Sequence, residues 1–308
     1  MQSKFENFND SPEELKIETA QNLSNSDLVN FAQTSKFHLA LFKPVIDVRK
    51  LLHYVTRGEH DVVKAMLKQD ISLIFKRGFV TDCSGREFES ISGFEYALWA
   101  MDKHMWAAMI KCIPQNAEGR KVFALLLAQY NTVNTDGVTY RLNGTTITEK
   151  HFDFENTIIK ELQTQVDSIN APGEKTWDAI DNQWRKGVGG AQKKLPMHVV
   201  YQYCSFAPFY PVPKFTSKPM SSKKFYNGTT EKVENWFNAD SKLSVDFAIF
   251  RGWMRGEGCA RPSWRGGVQH DLDAMTALCK VRTNDFIELK SLLEEQMTVD
   301  NQPQVYQM

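Results

Sequence analysis

The chain has 308 residues with 37 Lys plus Arg against 37 Asp plus Glu, so no global field favours nucleic acid or an anionic membrane surface. A hydrophobic share of 42% and a charged share of 24% are those of an ordinary soluble protein with a sizeable core in one or two domains. Five scattered cysteines (Cys83, Cys112, Cys204, Cys259, Cys279) without a CxxC pair argue against a zinc site or a disulfide framework, and for reduced thiols.

Residues 1–46 read as a polar tail and a capping helix. The opening lacks the apolar run of a cleaved signal peptide, and no stretch of the chain reaches the length that spans a bilayer. Ser11 and Pro12 suit an N-cap and a first helical position. Leu28, Phe31, Leu39 and Leu41 then recur at helical spacing until Pro44 interrupts them. Residues 47–114 carry the clearest pattern, two helical hairpins in succession. Leu52, Val55 and Thr56 give an apolar stripe, Gly58 a tight turn, Asp61 an N-cap, and Val62, Val63, Met66 and Leu67 the inner face of a second helix. After a polar turn at Asp82, Gly85 and Arg86, Phe94, Ala97, Leu98 and Met101 mark a third face. Met105, Trp106, Met109, Ile110 and Ile113 mark a fourth, closed by Pro114. Trp99 and Trp106 could serve as exposed binding anchors, but their spacing with Leu98, Met105 and Met109 favours burial between hairpins.

Residues 115–204 hold a helix with Val122, Leu125, Leu126 and Tyr130 inward. Next comes a β-hairpin turning at Asn143-Gly144. A helix with Ile158, Ile159, Leu162 and Val166 as its stripe follows, then a helix through Arg185 and a short one after Pro196. Residues 205–297 begin with a long, weakly periodic, aromatic and proline-rich segment. They end in what reads as a helical hairpin, with Asn284 or Asp285 capping its second helix. Residues 298–308 form a polar, flexible tail.

Residues 52–70, "LHYVTRGEHDVVKAMLKQD", resemble an ankyrin repeat: Leu52 and His53 stand at that family's Leu-His pair, Gly58 at its turn glycine, and Val62, Val63, Met66 and Leu67 on its second helix. The second unit is similar in outline. It lacks the Thr-Pro-Leu-His opening, and its helices start about nine residues beyond the family's 33-residue period. More widely, "VTDCSGREFESISGFEYALWAMDKHMW" together with "WRKGVGGAQKKLPMHVVYQYC" resembles ankyrin-like effector proteins of Legionella-type intracellular bacteria, substrates of a type IV secretion system. Glu294 and Glu295 before the tail are similar to the glutamate patch that precedes such tails.

The resemblance implies a mostly α fold: a degenerate ankyrin-like stack of helical hairpins with an inserted β-hairpin and an irregular C-terminal half. It implies a protein exported into the host cytoplasm that binds a host protein or another effector, with no cofactor. Partner contacts are expected at Arg77, Phe79, Thr81 and Arg86, in the extended connection between the two hairpins.

Enzymatic constellations are weaker. Lys186 to Lys194, "KGVGGAQKK", lacks the spacing of a phosphate-binding loop and reads as a turn with solvated lysines. Cys204 and His198 lie six positions apart on a short helix, which separates their side chains. His53, His60 and His104 show no metal-ligand spacing. The segment around residues 251–267 sets Arg251, Arg255, Arg261 and Arg265 among Trp253, Trp264 and glycines, a pattern suited to carboxylate, phosphate or nucleotide recognition. An enzyme or nucleotide-binding effector with its site there is the alternative expectation.

Overall fold

In the computed structural model, which describes residues 8, 11–238 and 240–298, the chain opens on helices α1 (Glu13–Gln21), α2 (Asn25–Ala32) and α3 (Lys36–Thr56). Ser24 and Ser35 cap α2 and α3 by accepting from the backbone N–H groups of Asp27 and His38. Pro12 itself stands at the α1 N-cap, one position earlier than expected. Pro44 does not end α3. A proline costs the helix a donor and a steric clash, but α3 buries Phe42, Ile46, Val48, Leu51, Leu52 and Val55 along one face, and that packing outweighs it. The three helices enclose a small core of Ala20, Leu28, Ala32, Phe42 and Ile46. The Arg49 guanidinium ties it shut, donating to the carbonyls of Gln21 and Leu23 at 2.7 Å and to Asn25 Oδ1 at 3.0 Å.

Gly58, at φ +68°, turns the chain from α3 into α4 (His60–Gln69). Asp61, expected as the cap, lies one residue inside α4, where it pairs with Lys64. The connection that follows is an antiparallel hairpin of β1 (Arg77–Thr81) and β2 (Glu87–Ser92), bulged between Gly78 and Val80. Ser92 and Glu95 then form a reciprocal capping box that starts α5 (Gly93–Trp99), followed by α6 (Lys103–Ile110). α3 packs on α4 and α5, α5 on α6, and α4 on α6, so the two helix pairs lie side by side.

α7 (Ala117–Asp136) leads into β3 (Val138–Leu142) and β4 (Thr145–Glu149), with Asn143 and Gly144 at φ +50° and +80° as their two-residue turn requires. This hairpin does not stand alone. It joins β1–β2 in one sheet of order β1-β2-β3-β4. Trp99 sits beneath it, fully buried among Phe88, Tyr96, Tyr140 and Phe152, its indole N–H donating to Glu149 Oε1 at 3.1 Å.

A π-helical turn at Glu155–Ile159 runs into α8 (Lys160–Asn170). α9 (Trp177–Asn182) continues through a second such turn, Gln183–Val188, into α10 (Gly189–Lys193), and α11 (Met197–Tyr203) follows. The glycine-lysine stretch expected to be a turn is therefore helical up to Lys193; a Cβ on Gly189 would come within 2.8 Å of the Phe247 carbonyl, so the glycine lets α10 approach the next layer closely. The segment expected to be irregular contains a second sheet, ordered β6-β5-β8-β7, of β5 (Lys224–Asn227), β6 (Lys232–Asn235), β7 (Ala248–Phe250) and β8 (Cys259–Arg261).

The expected C-terminal helical hairpin is instead one helix, α12 (Val268–Thr298), which packs on α6, α7 and α8. No Gly or Pro interrupts it, and Asp285, read as a cap, accepts from Lys103 and from Arg282 Nη1. Residues 299–308 of the expected flexible tail, and most of the expected loose N-terminus, lie outside the described residues. Buried residues from Val48 to Leu293 form one hydrophobic cluster. Among the described residues no helix is long and apolar enough to cross a membrane.

Under this core lie Asp102, His60, His104 and His198. His198 donates through Nε2 to the Ala100 carbonyl, and burial holds both His198 and His104 down to about 4, with Arg282 pushing the same way. Their ordinary value is 6.5, so between pH 6.5 and 4 the unfolded chain binds more protons than the folded one. Stability should be level above pH 6.5 and fall below it, by up to about 1.4 kcal/mol per pH unit from His198; urea melts at pH 7 and 5 check this, and His198→Gln should flatten the slope. Trp99→Ala should cost about 3–5 kcal/mol in the same melts, as the removal of a core aromatic does.

Candidate functional site

β1–β2 and β3–β4 pair along their lengths, but β2 and β3 meet at Glu87↔Arg141. Past that point the two strands part, and a groove of about 480 Å³ opens between Glu89, Ser90 and Ile91 on one side and Val138, Thr139 and Tyr140 on the other. Local sequence sets the divergence. Gly137, at φ +78°, ends α7 so close to β4 that a Cβ would lie 2.8 Å from the Glu149 carbonyl carbon and oxygen. β1 carries a bulge between Gly78 and Val80, a feature that bends a strand. Tyr140 turns inward against Phe88 and Trp99 and donates to Glu149 Oε1 at 2.9 Å.

The groove is polar and charged. Arg77 forks onto Glu95 through Nε to Oε2 (2.9 Å) and Nη2 to Oε1, fixing the carboxylate that also caps α5. Arg141 reaches Glu87 at 3.1 Å and Glu89 at 3.7 Å. Three carboxylates held by two guanidinium groups leave one net negative charge at the rim. On the other side of β1 a second groove, about 310 Å³, is lined by Arg49, Lys76, Arg77 and Phe79. Arg49 lies over the Phe79 ring at 5.8 Å.

Of the residues expected to contact a partner, Arg77 lines both grooves, Phe79 the second, and Thr81 is exposed at the end of β1. Arg86 goes elsewhere. It is 2% exposed, donates to Asp82 Oδ2 at 3.3 Å and the Lys194 carbonyl at 2.9 Å, and lies 5.1–5.5 Å from the rings of Trp99, Tyr140 and Phe152. Its side chain is enclosed and cannot meet a partner.

The four arginines around residues 251–267 do not converge. Arg251 is wholly buried, donating to the carbonyls of Met254 and Ser205. Its main-chain N–H and that of Gly252 are held by Asp271, a carboxyl that burial pushes up to about 7. Arg265 forks onto Asp181 and covers Trp177 at 4.3 Å. Arg261 lies in β8 against Gly228, and Arg255 is exposed. The Cys204 thiol is buried and pushed far up, out of the range of a thiolate nucleophile. Among the described residues no cluster of His, Cys, Asp and Glu is arranged to hold a metal ion.

Sequence reasoning missed Glu87, Glu89, Glu95, Tyr140 and Arg141. The alternation in residues 138–149 identified a hairpin; that its free edge faces β2 depends on long-range register, for which the sequence carries no local signal. The two connection arginines should behave differently. Arg86→Ala should cost about 3–5 kcal/mol, since it strands buried Asp82, whereas Arg77→Ala should cost less, because Arg77 is half-exposed and Glu95 keeps the Ser92 N–H as a donor. Chemical denaturation of the two variants measures the contrast.

Residues 157–293 match the sequence model of the CBUA0006 C-terminal domain. The chain is also 38% identical over 261 residues to the uncharacterized protein CBUA0006 of Coxiella burnetii (strain RSA 493 / Nine Mile phase I), a match covering 78% of this chain and 73% of that relative. No solved structure matches it.

Proposed function

The chain belongs to the family of the Coxiella burnetii protein CBUA0006, and on that premise we propose that it is a non-enzymatic protein-interaction module of a secreted bacterial effector. It acts in the host cytoplasm and binds a host protein or another effector. The observation that carries this reading is the groove between β2 and β3. Past Glu87↔Arg141 the two strands turn edges toward each other across it. A strand edge presents unpaired N–H and C=O groups, and an extended partner segment completes them by adding as a strand.

Two further observations support it. The helix pairs α3–α4 and α5–α6 lie side by side with β1–β2 at their connection, the placement an ankyrin-like module uses to present contacts. The resemblance to effectors of Legionella-type bacteria and the kinship with a Coxiella burnetii protein point to the same kind of organism. The enzyme reading has less behind it, because Arg251 and Arg265 are already taken by internal partners.

Capture from host lysate with the intact protein, followed by affinity measurement on the recovered partner, tests the proposal. A triple variant, Arg77→Ala, Phe79→Ala and Glu89→Lys, should weaken binding at least about tenfold while Arg255→Ala with Arg261→Ala leaves it unchanged. The opposite ranking would move the site to the C-terminal segment and refute the groove.

A further inference from the structure

We propose that a second cleft, independent of the β2–β3 groove, binds a phosphate monoester with an apolar or aromatic body. The cleft has two lobes of about 470 and 280 Å³ that share Cys83, Trp236 and Phe237. One wall comes from the turn after α3 (Arg57, Glu59) and the β1–β2 turn (Cys83, Ser84). The other comes from the end of α10 (Lys193), from Met197, and from the second sheet and its flanks (Lys223, Trp236, Leu243). The site thus lies on a seam between the region that matches the family model and the helical region before it, a usual place for a small-molecule pocket of this size.

Three observations set the ligand class. The first is charge. Arg57, Lys223 and Lys193 face the cleft with Glu59; the other carboxylate there, Asp82, is neutralised by Arg86. Three cations against one carboxylate leave two positive charges, which a phosphate monoester balances with its charge of about −1.5 to −2.

The second is Trp236. It is 2% exposed and lines both lobes, and its indole N–H has no acceptor among the described residues. A buried donor left unpaired is costly, which makes Trp236 a wall residue that an occupant of the cleft would perturb.

The third is Lys223, a non-glycine residue at φ +60°. Its ammonium is held at the cleft by Glu59 Oε1 at 2.5 Å and lies 5.5 Å from the Tyr201 ring. Met197, Phe237, Leu243 and the face of Trp236 supply the apolar wall for the organic body. Burial pushes the Cys83 thiol up to about 11, which fits a site that binds its ligand without attacking it.

The test uses the full chain with ¹⁵N-labelled tryptophan, titrated separately with phenyl phosphate, inorganic phosphate and phenol. The indole cross-peak that Trp236→Phe removes should move with phenyl phosphate at a Kd below about 1 mM. Lys193→Gln with Lys223→Gln should weaken that titration about tenfold or more, with the other indole peaks of the variant unchanged as evidence of folding. The proposal is overturned if the peak stays still at about tenfold that concentration of phenyl phosphate. It is equally overturned if phenol alone moves the peak as far, if inorganic phosphate binds as tightly, or if the double lysine variant titrates like the parent.

Discussion

One enclosed guanidinium sets the geometry on which the rest of this structure depends. Arg86 leaves the β1–β2 turn and ends among Trp99 of α5, Tyr140 of β3 and Phe152 beyond β4, with Asp82 and the Lys194 carbonyl as acceptors. A buried charge is tolerated only where its partners are all in place. The turn, the α5 helix, the second hairpin and the end of α10 are therefore held in one mutual arrangement. Tyr140 and Glu149 extend it, since Glu149 accepts from both Tyr140 and Trp99.

The groove follows from that arrangement. With Tyr140 drawn inward and Gly137 pressed against Glu149, β3 is fixed by its own hairpin and by the core, not by β2. The first hairpin is tied to the second at its turn by Arg86, while its other end is held by α3 and by the capping box at Ser92 and Glu95. The two hairpins, joined at the Arg86 end, pair at Glu87↔Arg141 and diverge beyond it, and the gap they leave is polar, charged and edged with backbone. In that gap Arg77 forks onto Glu95, and Arg141 reaches Glu87 and Glu89.

Much of the helical framework was legible because it repeats at helical period over several turns. α7, the pairs around Gly58 and Trp99, and the Asn143-Gly144 hairpin stand where their residues place them, although Leu125 and Val62, read as inward, are exposed. What could not be read depends on residues far apart in the chain. Arg77 and Arg86 lie in the same short connection, yet one lines two grooves and the other is enclosed, because Tyr140 and Phe152 close over Arg86 from the second hairpin. Arg251 is buried because Ser205 and Asp271 meet it from opposite sides of the sequence. The strands β5 to β8 have three or four residues each, too few for alternation to register. α12 passed for two helices because Asn284 and Asp285 look like a cap, while Lys103 and Arg282 draw Asp285 into the continuous helix.

The most direct measurement is hydrogen–deuterium exchange on the intact chain, alone and with the captured partner. If a partner strand seats between β2 and β3, the amides of residues 88–91 and 138–140 should gain protection together, with residues 251–267 unchanged. Protection confined to residues 251–267, with both strand edges still exchanging as in the free chain, would contradict the account.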